Sequence, residues 1–187
     1  YRLFIAVNLS DVAIAKIQSL QSTLIATLGR RVFRWVPAAS LHITLNFLGE
    51  TSPASVRLIT QSMDLVASSS TPFILRLQGL GCFPNTQNAR VLWLGIERAG
   101  QLTQLAEKVR AVSPVEGDQK PFSPHITLAR VCDFMQPEEL VKLTEVFTHY
   151  QHTEIASSRV ENLVLYRSTL NAKGAIYTHL HIARFSR

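Results

Sequence analysis

Two stretches decide how this chain folds: Leu41-His42-Ile43-Thr44-Leu45-Asn46-Phe47-Leu48 and Pro124-His125-Ile126-Thr127-Leu128-Ala129-Arg130-Val131. They share the four letters His-Ile-Thr-Leu. Successive side chains of a β-strand point to opposite faces, so His and Thr two apart share one face while Ile and Leu share the other. Each stretch therefore predicts a strand carrying an imidazole and a hydroxyl on one surface and two aliphatic groups for a core on the other. Two such strands side by side would gather two histidines and two threonines about one point.

Working outward, the surroundings of the two stretches also match. Before the first lies a mostly apolar strand over residues 2–9, then a helix capped by Ser10 with Asp11 in its first turn. Its apolar stripe is read as Val12, Ile17, Leu20, Leu24 and Leu28, ended by Gly29. Residues 32–36 form a short strand on the way to the motif. After it, Ser52 caps a helix that opens on Pro53 and buries Val56, Ile59, Met63 and Val66. A strand runs from Phe73 to about residue 80, and residues 81–89 make a loop.

Then the pattern restarts. Residues 91–96 read as a buried strand, and Leu102, Leu105, Ala106, Val109 and Val112 as a helical stripe. A polar loop leads through Pro121-Phe122-Ser123-Pro124 to the second motif. Gln136-Pro137-Glu138-Glu139 opens another helix, with Leu140, Leu143 and Phe147 facing inward. Strands around 153–166 and 175–185, joined by a Ser168–Gly174 turn, close the chain. Strand, helix, motif strand, helix, strand thus occurs twice, which predicts an internal duplication. The expected fold is α+β, with two pseudo-symmetric lobes, each a mainly antiparallel sheet flanked by helices.

Length and composition set limits. At 187 residues the chain is read as one domain, 1–187, and 47% hydrophobic content is enough for a core. No apolar run approaches membrane-spanning length, and the opening Tyr1-Arg2-Leu3-Phe4-Ile5-Ala6-Val7 reads as a strand rather than a signal peptide. Two cysteines, Cys82 and Cys132, make no disulfide framework, so a reducing cytoplasm is expected. A net charge of +6 suits an anionic partner such as RNA, although no dense basic block stands out. A monomer is the default.

Two histidines across a cleft can divide acid–base work, because imidazole titrates near neutrality. One neutral ring accepts a proton from an attacking oxygen while a charged ring donates to a leaving oxygen. Threonine hydroxyls can donate to nonbridging phosphate oxygens. That combination suits phosphodiester cleavage with no metal and no cofactor. A single His-x-Thr is usually only a strand; its repetition at equivalent places of a duplicated topology carries the functional weight.

The run Arg34-Trp35-Val36-Pro37…Leu41-His42-Ile43-Thr44-Leu45-Asn46-Phe47-Leu48-Gly49-Glu50, together with Pro121-Phe122-Ser123-Pro124-His125-Ile126-Thr127-Leu128-Ala129-Arg130, resembles the 2H phosphoesterase superfamily. Within it the chain is similar to the RNA 2′,3′-cyclic phosphodiesterases, long named 2′-5′ RNA ligases. Arg2-Leu3-Phe4-Ile5-Ala6 and Leu165-Tyr166-Arg167-Ser168, with Gly174 and Tyr177 following, extend the likeness over nearly the whole chain. The resemblance implies a bilobal fold with the active site in the central cleft. It implies hydrolysis of 2′,3′-cyclic phosphate ends of RNA, or of small cyclic nucleotides, to a 2′-phosphate without a metal. By the same resemblance His125 is the general base, His42 the general acid, and Thr44 and Thr127 hold the phosphate.

Arg130 is a further phosphate-binding candidate. Strict alternation puts it opposite His125, but a bulge or strand end could redirect it. Phe47 could stack on a base, although alternation favours the core. His179 and His181 on one strand face, and His149 with His152, lack a clear third ligand for zinc; Trp35 and Trp93 read as core. Two other functions compete. One is 2′-5′ RNA ligation, the reverse direction, disfavoured because water at roughly 55 M competes with an unbound RNA end. The other is a noncatalytic RNA-binding domain, which would not need two titrating groups.

Overall fold

The computed structural model describes residues 1–172 and 174–187. In chain order the elements are β1 (Arg2–Val7), α1 (Asp11–Leu28), β2 (Phe33–Trp35), β3 (Ile43–Glu50), α2 (Val56–Ser68), β4 (Phe73–Phe83) and β5 (Val91–Glu97). There follow α3 (Gly100–Ala111), β6 (Ile126–Val131), α4 (Pro137–Tyr150), β7 (Glu154–Val160), β8 (Asn162–Asn171) and β9 (Gly174–Arg184). Local chemistry sets the helix ends. Ser10 accepts a hydrogen bond from the Ala13 N–H at 3.3 Å, and Gly29 closes α1 at φ 75°, a left-handed conformation that suits glycine. Gln136 and Glu139 form a reciprocal capping box on α4.

The strands form two antiparallel sheets, ordered β3-β1-β8-β9 and β2-β6-β5-β4-β7. Helices α2 and α3 pack on the first sheet, against β9 and β3; α1 and α4 pack on the second, against β7 and β4. The expected two-lobed α+β fold is therefore present. Each lobe, however, draws on both halves of the sequence. The motif strand and first strand of each half pair with each other, β3 with β1 and β6 with β5, whereas α1 of the first half crosses to the second sheet and α3 of the second half to the first. A continuous apolar core, including Ile17, Leu24, Ile43, Leu45, Leu94, Leu102, Ile126 and Leu128, fills the space between sheets and helices.

Several expectations change. The motif strands are not neighbours: β3 is an edge of one sheet and β6 lies inside the other. Val12 is 66% exposed, and the buried stripe of α1 begins at Ala13, because Val12 stands five residues before Ile17 and so off its face. Val112 lies beyond α3 and is exposed. The strand expected over 153–166 is two strands broken at Glu161 and assigned to different sheets. Of the turn expected over Ser168–Gly174, the residues from Ser168 to Asn171 belong to β8 and Gly174 opens β9; Lys173 lies outside the described residues.

Candidate active site

Both motif strands carry an irregularity at the same place. Across from β1, Ile5 pairs with Asn46 and Ala6 with Thr44, so Leu45 is an extra residue. Across from β5, Leu92 pairs with Ala129 and Trp93 with Thr127, so Leu128 is the extra one. Each is a β-bulge immediately after the His-x-Thr. Two consecutive residues then face the core, Leu45 with Asn46 and Leu128 with Ala129, all buried. The next residue returns to the face of the histidine. Thus Phe47 and Arg130, equivalent positions of the two halves, both line the cavity that His42, Thr44, His125 and Thr127 line. The alternation argument that sent Phe47 to the core fails for this reason, and Arg130 reaches the cleft by the bulge route.

The two imidazoles are held alike. His42 Nδ1 lies 2.7 Å from the Ser40 carbonyl oxygen, and His125 Nδ1 2.7 Å from that of Ser123. A carbonyl only accepts, so Nδ1 carries the hydrogen and Nε2 presents a lone pair in the neutral ring. The Thr44 hydroxyl donates to His42 Nε2 at 3.0 Å. No side chain among the described residues occupies His125 Nε2. The surroundings differ. His42 stacks on Phe4 at 4.9 Å between centroids and meets the edge of Tyr177 at 5.4 Å. His125 meets Phe83 edge-on at 4.9 Å.

These environments shift both rings towards neutrality. Burial against the aromatic shelf, and secondarily the charges of His125 and Arg130, lower the His42 pKa to about 4, against the opposing pull of the Ser40 carbonyl. Burial and then Arg130 lower that of His125, again opposed by its carbonyl partner. His42 thus feels the charge of His125 across the cleft, which fits the expected convergence of the two motifs.

The cavity between the lobes is about 410 Å³, the size of a small-ligand site. Beyond the motif residues it is lined by Arg2, Arg34, Ser168, Leu170 and Tyr177, and among the described residues no carboxylate lines it. Arg34 arrives because β2 pairs with β6, placing it opposite Arg130. Arg2 lies opposite Ser168 on β8, its guanidinium 5.3 Å from the Phe47 ring centre. Sequence reasoning gave neither arginine a role. Their signal was only a basic residue beside an aromatic one on a short strand, which has many other uses.

The remaining histidines lie elsewhere. A register shift in the β8–β9 pair sets His179 opposite Tyr166 and His181 opposite Leu165, on different faces rather than the shared one expected. His181 Nε2 pairs with Asp64 at 2.7 Å, and His179 packs edge-on against Tyr166. Among the described residues no group of three or more His, Cys, Asp or Glu is placed to hold a metal ion. A larger groove of about 650 Å³ runs along α4 beside Thr86 and Gln87; it holds one histidine, His149, and no arginine or lysine.

Comparison with known proteins places the chain in a family. The family model described as LigT-like phosphoesterase matches the chain twice, over residues 7–93 and 94–177. The RNA 2′,3′-cyclic phosphodiesterase of Aquifex aeolicus is 32% identical over 78% of both chains. A crystal structure from Thermus thermophilus superposes with a TM-score of 0.81 at 31% identity, covering 99% of this chain and 98% of that one. Escherichia coli LigT complexed with 3′-AMP superposes with a TM-score of 0.76 at 25% identity, covering 100% and 98%.

Proposed function

Since the chain belongs to the LigT-like phosphoesterase family, we propose that it hydrolyses the 2′,3′-cyclic phosphate end of RNA, or of small cyclic nucleotides, to a 2′-phosphate by metal-independent two-histidine catalysis. One observation carries the reading: two carbonyl-anchored imidazoles, each beside a threonine of its own motif, line one cavity with Arg130 and with no carboxylate among its described lining residues. The phosphodiesterase relatives support the substrate.

In this reading the cyclic phosphate sits between Thr44 and Thr127, whose hydroxyls donate to its nonbridging oxygens, with Arg130 balancing its charge. Water attacks phosphorus and passes a proton to His125 Nε2. The P–O3′ bond breaks, and His42 Nε2 gives its proton to the departing oxygen, leaving a 3′-hydroxyl and a 2′-phosphate. The open Nε2 of His125 suits a base that must reach water, and the aromatic enclosure of His42 makes it a strong donor once charged. Bound phosphate supplies the anion that charges it. Each acid–base group is worth roughly 10²–10⁴-fold. Phe47 offers a face for the terminal base. Residues 1–187 act as one bilobal domain and as a monomer.

The test is an oligoribonucleotide ending in 2′,3′-cyclic phosphate. The expected product is the 2′-phosphate, at a rate indifferent to EDTA and abolished in folded His42→Ala and His125→Ala. A 3′-phosphate product, a normal rate in either variant, or loss of turnover in EDTA would each overturn the mechanism.

A further inference from the structure

A β-bulge frees a backbone carbonyl from its ladder, and a buried carbonyl needs a donor. At each of the two motif-strand bulges such a carbonyl accepts from a helix side chain of the opposite half of the sequence, Leu128 O accepting from the Val36 N–H at 2.9 Å as well. Gln21 on α1 is 7% exposed, and its Nε2 donates to Leu128 O at 3.1 Å and to Val36 O at 2.9 Å. Arg110 on α3 donates from Nε to Leu45 O at 3.3 Å and from Nη1 to Lys120 O at 2.9 Å. Counted from Asp11 and Gly100, each is the eleventh residue of its helix. The two braces are therefore equivalent by the internal duplication, although one is an amide and the other a guanidinium.

We propose that Gln21 and Arg110 are positioning residues for the cleft, each fixing the bulge that turns one contact residue towards substrate: Gln21 acts through Arg130, and Arg110 through Phe47. Without the bulge, strict alternation would return Arg130 and Phe47 to the helix-covered face. The Leu128 bond fixes the residue two before Arg130, and the Val36 bond ties the same amide to the segment that carries Arg34. The Leu45 bond likewise fixes the residue two before Phe47. The two arms read different parts of a nucleotide, phosphate through Arg130 and base through Phe47. This rests on the proposed function only for the identity of the ligand.

Double-mutant cycles in the full chain test it, with affinities for inorganic phosphate and for a 2′-nucleoside monophosphate measured by calorimetry and folding checked by thermal unfolding. Gln21→Met is expected to weaken both ligands about tenfold, the scale of a lost charge-assisted hydrogen bond. Added to Arg130→Ala it should cost less than about twofold more, because the two act through one contact. Arg110→Met should weaken the nucleotide but not phosphate, and be silent in Phe47→Ala. Wild-type phosphate affinity in folded Gln21→Met, or a double variant losing the product of both single effects, would overturn the proposal. If Gln21→Met does not fold, the Arg110–Phe47 cycle decides by the same criteria. A wild-type protein that binds these ligands but does not open a cyclic phosphate would overturn the proposed function alone.

Discussion

His42 is neutral in the free protein at neutral pH, held there chiefly by the aromatic groups that remove water from it. In the proposed mechanism the productive free form needs His42 charged and His125 neutral, so the proton arrangement is the minority one. His42 loses its proton above about pH 4, and His125 is neutral above a value itself lowered from 6.5. The profile of kcat/KM should therefore be bell-shaped with its maximum below pH 6.5, rather than near neutrality. Bound phosphate raises both values, so the kcat maximum should lie at higher pH; initial rates across pH 4–8 check both. Arg130→Ala removes a charge that lowers both rings and should move the kcat/KM maximum upward. Stability carries the same signature. The folded state resists charging His42 between the unfolded value of 6.5 and about 4, so stability is lost as pH falls through that window. The loss attributable to this ring is roughly 3 kcal/mol. His42→Phe, which keeps a ring on the Phe4 shelf, should lose that much less between the two pH values in urea titrations.

At the scale of elements, the seat of His125 is built from the β4–β5 pair. Gly81 lies opposite Trp93, and a Cβ there would fall 2.3 Å from the indole. Trp93 packs against Phe83 at 5.4 Å, and Phe83 against His125. Gly81→Ala must displace a rigid ring, so it should cost about 1–3 kcal/mol of stability. It should also lower kcat more than it raises KM, because it moves His125, the base of the proposed mechanism, rather than the phosphate contacts. Unchanged kinetics in a destabilised Gly81→Ala would break the link from this glycine to the site. Helix caps, the Ser52-capped 3₁₀ turn Pro53–Ser55 that leads into α2 and the motif strands were legible because each depends on a few adjacent residues. The bulges were not, because Leu45 and Leu128 look like ordinary alternating residues; only the register of the neighbouring strand reveals an extra one.

For the whole molecule, the interleaving of halves has a thermodynamic consequence. Each sheet takes strands from both halves and is covered by a helix from each, so neither half has a complete core of its own. Unfolding by urea should then be a single transition, with tryptophan fluorescence and far-ultraviolet circular dichroism giving one midpoint. Two separated midpoints would mean that the lobes are independent. Charge behaves collectively as well. Arg2, Arg34 and Arg130 converge on a cavity with no carboxylate among its described lining residues, although the net charge of +6 is modest for 187 residues. The logarithm of KM should rise with that of salt for an oligoribonucleotide end, by about 0.7 for each backbone phosphate neutralised. A mononucleotide substrate should show a smaller slope; equal slopes would confine the cations to the reacting phosphate.

The amino-acid sequence by itself determined the duplicated element order, the α+β class and the four motif side chains, because local periodicity and a repeated four-residue string are properties of neighbours along the chain. It could not determine that the motif strands lie in separate sheets, that Phe47 and Arg130 turn back towards the histidines, or that Arg2 and Arg34 join them. Those outcomes depend on strand register and on helices exchanged between halves, and pairing across long sequence separations is set by tertiary packing.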